Sequence, residues 1–176
     1  MDMEEKKAEK NYKSIRQKHM TAMFVVSLVT ALVLIPIISY VYRKQMEKEY
    51  SEKAFHEAAI AASLIDGDSI ARYRETGEKD AYYEEVRRML LLMKQTQGFD
   101  YFYVIIPYDD VQYYIWDAGE EGEEGVCDLG DTDAYYGDGK QVGEAAFSAD
   151  GQQHILITNS KEYGYLASAY VAILDS

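Results

Sequence analysis

An α+β domain held behind one membrane-spanning helix is the architecture this sequence predicts, and three observations predict it. Residues 21–42, TAMFVVSLVTALVLIPIISYVY, run for 22 residues without a charged side chain. Residues 43–97 then read as helices, with apolar positions every three or four residues and capping residues at the breaks. From residue 101 onward the chain changes character, into short runs rich in aromatic and β-branched residues separated by Gly- and Asp-rich turns. Helices first and strands last is an α+β order rather than an alternating α/β one.

The apolar run is the expected attachment point for everything after it in the chain. As a helix it reaches ~33 Å, enough for a hydrocarbon core of about 30 Å. Lys18 and His19 bound it on one side, and Tyr40, Tyr42, Arg43 and Lys44 on the other, as interfacial anchors do. A cleaved signal peptide competes for the same run. The run is longer than the roughly 7–15 apolar residues of such a peptide, and no small-x-small cleavage site follows Tyr42, so an uncleaved anchor is expected. Pro36 removes one backbone hydrogen bond and predicts a mild kink.

Charge sets the expected orientation. The formal net charge is −13, and it is uneven: residues 1–20 carry an excess of Lys and Arg, whereas residues 43–176 are strongly acidic. Basic flanks stay in the cytoplasm, so the tail 1–20 is expected inside and residues 43–176 outside, at the plasma membrane. That acidity excludes nucleic acid as a partner, since its phosphates would be repelled. Cys127 is the sole cysteine, which rules out an intramolecular disulfide, and His19, His56 and His154 do not stand at ligand spacing, so no structural zinc is expected.

In the stretch 43–65, Met46, Tyr50, Ala54, Ala58, Ala61 and Ile65 recur on one helical face, and Ala58 to Ile65 is apolar nearly all round, which predicts burial. The stretch reads either as a helix packed on its own domain or as a stalk that also pairs with a second copy. Asp66-Gly67-Asp68 ends it. Asp68 is expected to cap a short helix from Ser69 to Arg74 that Gly77 closes. Asp80 caps the next helix, which runs to Gln97 before Gly98 and sets Tyr83, Val86, Leu90 and Met93 on one side. YFYVIIP (101–107) and VQYYIW (111–116) form a hairpin, 117–139 a long acidic loop, and Asp138 to Phe147 a short helix. HILITN (154–159) and GYLASAYVAIL (164–174) supply two more strands around a turn from Asn159 to Tyr163, for one antiparallel sheet of at least four strands.

In this order, AASLIDGDSIARYRETGEKDAYYEEV, FDYFYVIIP, YYIWDAG, DLGDTDAYY and EYGYLASAYVAILDS resemble the Cache family of extracellular sensor domains (PAS-like, also called PDC). The resemblance covers nearly everything after residue 20. With the tail at 1–20 and the transmembrane helix at 21–42 read from the residues, it implies a long helix at 43–66 and a Cache-like domain at 67–176. In that family the long helix lies across one face of a PAS-like sheet and a small-molecule pocket occupies the other. The resemblance also implies a last strand, a second span and a cytoplasmic output module beyond Ser176. That module would be of the chemoreceptor, histidine kinase, diguanylate cyclase or serine phosphatase type.

Alternation along the hairpin separates its faces. Phe102, Val104 and Ile106 suit packing against the helices; Tyr101, Tyr103 and Ile105 face the other way. With a turn centred between Asp109 and Asp110, Tyr103 falls opposite Trp116 and Ile105 opposite Tyr114, although a slip of one residue would reassign the second strand. Singly, Tyr103, Tyr114 and Trp116 are ordinary core fillers. Together on the face away from the helix they make a pocket candidate, which Ser168 and Tyr170 join by sharing a parity on the last strand.

After Arg88 there is no arginine, and an anion site would ordinarily recruit one. Aromatics bordered by Asp117, Glu120, Glu121, Asp128, Asp131 and Asp133 instead point to a ligand with a cationic or amine end, held by cation–π contact and an acid such as Asp117. For Glu120 to Glu124 a simple solvated surface is the equal alternative.

No catalytic site, cofactor or metal is expected. DTDAYYGDGKQV places Asp131 and Asp133 at the first two positions of an EF-hand loop, but Tyr135 and Val142 stand where ligands belong. Gly-rich phosphate loops, GxSxG and HExxH are missing, and Cys127 in an acidic loop should have a raised thiol pKa, the wrong direction for a nucleophile. The expected function is therefore ligand sensing in a bacterial transmembrane receptor, a homodimer through helix 43–65 and the membrane helix. The rival from another class is a membrane-tethered binding or envelope protein without signalling output.

Overall fold

The computed structural model describes residues 3–119, 125–148, 152–161 and 164–174. The acids at 120–124 and the turn residues 162–163 lie outside them. The chain divides into two units, Met1–Lys48 and Glu49–Ser176.

Helix α1 spans Met3–Leu64 and continues through Pro36. Within the first unit it is long and apolar enough to cross a membrane, and its side chains from Ile15 to Tyr42 are exposed. Two hydroxyls in the run are satisfied within the helix: Thr21 Oγ1 donates to the Gln17 carbonyl at 3.0 Å, and Thr30 Oγ1 to that of Val26 at 2.9 Å. Such back-bonding is how a helix keeps polar groups paired where no water is present.

In the second unit, α1 shows its inward stripe. Ser51, Ala61 and Ile65 are buried and Ala54 and Ala58 half-buried, steps of three and four that keep one line down the helix. This corrects two expectations. Tyr50 is 58% exposed, because Ser51, one position and about 100° round the helix, takes the inward slot. Ile60 and Leu64 are also exposed, so 58–65 is buried on one side only. Lys53 Nζ donates to the Gln97 carbonyl at 2.7 Å and lies 5.5 Å from the Phe99 ring centroid, tying α1 to the segment around residues 97–99.

Helix α2 spans Gly67–Thr76, and its cap is Asp66, not Asp68. Asp66 is extended and its carboxylate accepts from the Asp68 N–H, which leaves Asp68 in the first turn, where a negative charge meets the positive helix end. Gly77 closes α2 at φ 65°, as its freedom from a Cβ allows. Helix α3 spans Ala81–Gln97; Asp80 Oδ1 accepts from the Tyr83 N–H at 2.9 Å and Gly98 ends it. Tyr83, Val86 and Leu90 are buried, as the periodicity predicts.

Among the described residues five strands follow: β1 Tyr103–Tyr108, β2 Val111–Asp117, β3 Thr132–Ala134, β4 His154–Ser160 and β5 Gly164–Tyr170, with α4 at Gly139–Ala145 between β3 and β4. Instead of one sheet they make two, an antiparallel β1-β2-β3 and an antiparallel β4-β5. The hairpin of β1 and β2 turns at Asp109-Asp110, with Asp109 at φ 48° supplying the positive dihedral a two-residue turn requires. β3 lies in what the sequence predicts as loop, and β5 ends at Tyr170 rather than Leu174.

The core lies between the helices and one face of the first sheet. Ala61, Ile65, Tyr73, Tyr83, Val86, Leu90, Ile115, Trp116 and Ala118 form it, with Phe102, Val104 and Ile106 packed at its edge. Asp80 links its margin to the solvent, accepting from the Tyr73 hydroxyl at 2.5 Å and from Arg72 at 3.0 Å. The Tyr73 hydroxyl bond and then the Tyr83 N–H hold the Asp80 carboxyl below its ordinary pKa. A carboxyl whose folded pKa is depressed contributes stability above its unfolded pKa and loses it as pH falls through the folded one. Thermal melts from neutral to strongly acid pH should therefore show the wild type losing stability with acid, and Asp80→Asn, which keeps a capping oxygen, losing less of it.

Candidate ligand site

One irregularity decides which residues share the outer face of the first sheet. Ile105 pairs with Tyr114, but the next pair is Val104 with Trp116, so Ile115 is an extra residue in β2 and the strands resume as Tyr103 with Asp117. This β-bulge rotates everything beyond it by one position. Trp116 is thereby moved to the helix side, where it is 0% exposed. It stacks on Tyr83 at 5.4 Å between ring centroids, meets Tyr73 edge-on at 5.3 Å, and donates Nε1–H to the Tyr83 carbonyl at 3.0 Å. Tyr83 answers with its own hydroxyl on the Ile115 carbonyl at 2.9 Å. Trp116 is therefore a core residue and not a lining residue of the pocket face, a correction that the bulge explains.

Asp117 takes the position expected of Trp116, opposite Tyr103. On this outer face the Tyr103 and Tyr114 rings pair edge-on at 5.4 Å. Asp117 accepts from the Cys127 N–H at 3.0 Å, which folds the acidic segment back toward the tyrosines. Tyr114 then exchanges backbone bonds with it, donating to the Asp131 carbonyl at 2.9 Å and accepting from the Gly130 N–H at 3.0 Å. Asp133 pairs with Gln112 two residues along.

Tyr170 arrives from β5 and is near enough to influence Tyr103. Its ring rests against α4, where a Cβ on Gly139 would meet its hydroxyl at 3.2 Å and one on Gly143 its Cδ1 at 3.4 Å. Larger residues there would push Tyr170 aside. Tyr135 packs at the same place, its Cδ1 being 3.6 Å from a Gly139 Cβ. Lys140 of α4 reaches the hairpin turn instead, pairing with Asp110 at 2.8 Å.

Of the residues the sequence points to, Tyr103, Tyr114, Asp117 and Tyr170 come together. Ser168 is half-buried opposite Leu156 on β5 and shares only the strand side of Tyr170. Tyr101 is 48% exposed and precedes β1. Sequence reasoning passed over Gln112 and Tyr135. The parity of Gln112 with Tyr114 could have found the first; nothing in the sequence marks Tyr135.

Burial and nearby carboxylates set the electrostatics around Tyr103 and Tyr114. The Tyr103 and Tyr114 hydroxyls are pushed well above their ordinary pKa, by burial first. Tyr170 and then Asp117 reinforce the shift at Tyr103; Tyr103 and Cys127, with Asp133 and Asp117, do so at Tyr114. The Cys127 thiol is raised by burial and then by Asp117, Asp131 and Asp133, with a hydrogen bond from Tyr114 opposing. At neutral pH the face thus presents neutral phenols in a negative field. Such a surface favours a cation and disfavours a carboxylate or phosphate. Among the described residues no cluster of His, Cys, Asp and Glu is arranged to hold a metal ion. Comparisons with protein-family models, curated proteins and solved structures find no match to this chain.

Proposed function

We propose that the chain is the ligand-sensing portion of a bacterial transmembrane receptor with a Cache-like, PAS-like sensor, anchored by residues 21–42 with the N-terminus in the cytoplasm. Its ligand is a small molecule with an amine or cationic end. The observation that carries this reading is the Tyr103–Tyr114 pair with Asp117 on the face of the first sheet opposite the helices, with Tyr170 of β5 nearby and Asp133 adding a second carboxylate.

Ligand binding would favour one arrangement of the sheet and its covering segments, and α1 would carry the difference toward the membrane. The Lys53–Gln97 bond supports such a path, since it joins α1 to the segment that leads into β1. A homodimer through helix 43–65 and the membrane helix would turn the change into a shift between paired subunits. An output module of one of the four types named above completes the reading.

Calorimetric titration of the full chain in lipid nanodiscs tests it. Primary amines should bind and dicarboxylates should not. Asp117→Asn should weaken amine binding about tenfold, the loss expected when a charged hydrogen bond becomes a neutral one. The asparagine keeps an oxygen for the Cys127 N–H. Tight binding of a dicarboxylate with none of an amine would sink the proposal.

A further inference from the structure

We propose that Gln112 is a specificity-determining residue of the tyrosine face, its side-chain carbonyl accepting a hydrogen bond from an N–H group of the bound cation. The inference rests on the reading of that face as a ligand site and deepens it: the ligand is a primary or secondary ammonium with a free N–H, rather than any cation.

Gln112 lies in β2 between Pro107 and Asp133, two residues from Tyr114, and alternation gives it the same face as Tyr114. It is 5% exposed. Its Nε2 donates to the Ala134 carbonyl at 3.3 Å, which fixes which end of the amide is already engaged. Its Oε1 is buried and has no hydrogen-bond partner among the described residues. A buried amide oxygen left unmatched is costly and uncommon in native proteins. Gln112 is not a residue the core requires, since the sheet's helix side is packed by Ile115 and Trp116.

The Tyr135 hydroxyl, one residue beyond the Ala134 carbonyl that Gln112 holds, is likewise buried without a partner among the described residues. It stands next to Tyr170 on the far side of the cluster. Gln112 Oε1 and the carboxylate of its strand partner Asp133 are both acceptors. Acceptors beside the neutral phenol of Tyr114 complement a donor carrying positive charge, and an ammonium with free N–H groups is the simplest such donor.

Two cations separate this from general attraction. Ethylammonium can donate hydrogen bonds, whereas tetramethylammonium has none to give and binds through charge and ring faces alone. In the full chain in nanodiscs, Gln112→Leu should weaken ethylammonium about tenfold and leave tetramethylammonium unchanged. Gln112→Met guards against misfolding of the leucine variant, with the melting temperature of each variant measured alongside.

Equal losses for both cations would make Gln112 a packing residue and overturn the inference. Unchanged affinity for both would mean that its oxygen meets only water, which overturns it too while leaving the amine site standing. If neither cation binds the wild type, the site reading itself falls and the inference with it.

Discussion

Replacing Trp116 with alanine should lower the stability of the Glu49–Ser176 unit by about 3–5 kcal/mol, the range for truncating a large buried aromatic. The side chain is fully enclosed, sandwiched against Tyr83 and crossed by Tyr73. Its removal leaves a cavity between two helices and the sheet. It also strips the Tyr83 carbonyl of its indole donor, an additional cost where water cannot substitute. Trp116→Phe keeps most of the ring contact and should cost distinctly less. Urea unfolding followed by near-UV circular dichroism measures both. A pocket-lining tryptophan would behave oppositely, with affinity falling and stability nearly intact, so this variant separates the two placements of Trp116 outright.

A second large effect is expected in the apolar run. Arginine at Leu28 and Leu32 together, one turn apart near its centre, should oppose membrane insertion by about 5–7 kcal/mol, roughly 2.5–3.5 for each charge. Alkaline extraction of membranes should then release the double variant while the wild type stays in the pellet. Tyr42→Arg provides the contrast, because a charge at the end of the run can reach the headgroups with its long side chain and costs little. Equal retention of all three proteins would show that α1 does not cross the bilayer there.

How far the sequence revealed this molecule depended on whether local chemistry was enough to decide each feature. Asp80 and Gly98 bracket α3 in both sequence and structure, because a cap is a matter between neighbours a few residues apart. The hairpin likewise follows from two β-rich runs and a two-residue acidic turn. Asp66 and Asp68 are chemically equal candidates two positions apart, and only the backbone's exit from α1 chooses between them.

The bulge was beyond local reading altogether. No glycine or proline marks Ile115, and the extra residue is held by Tyr83, which bonds the Ile115 carbonyl and receives the Trp116 indole from more than thirty positions away. That long-range exchange moved Trp116 off the candidate site and brought Asp117 onto it. The acidic loop hid β3 for the same reason: Thr132–Ala134 has little strand propensity of its own and is extended because β2 offers it a ladder. Tyr103, Tyr114 and Tyr170 were legible as a shared face because alternation runs unbroken along β1, along β2 as far as the bulge, and along β5. Tyr135, outside any strand, obeys no period at all.

The solitary thiol also makes the molecule self-reporting. Cys127 is bonded through its backbone to Asp117 and touched by the Tyr114 hydroxyl, and no other sulfhydryl competes for reagent. A small fluorescent maleimide would mark one spot beside the aromatic cluster in the unaltered protein. Because its deprotonation is disfavoured there, the coupling calls for a mildly alkaline buffer. Colour or lifetime changes of that dye would then register whatever settles among the phenols, without any residue having been exchanged.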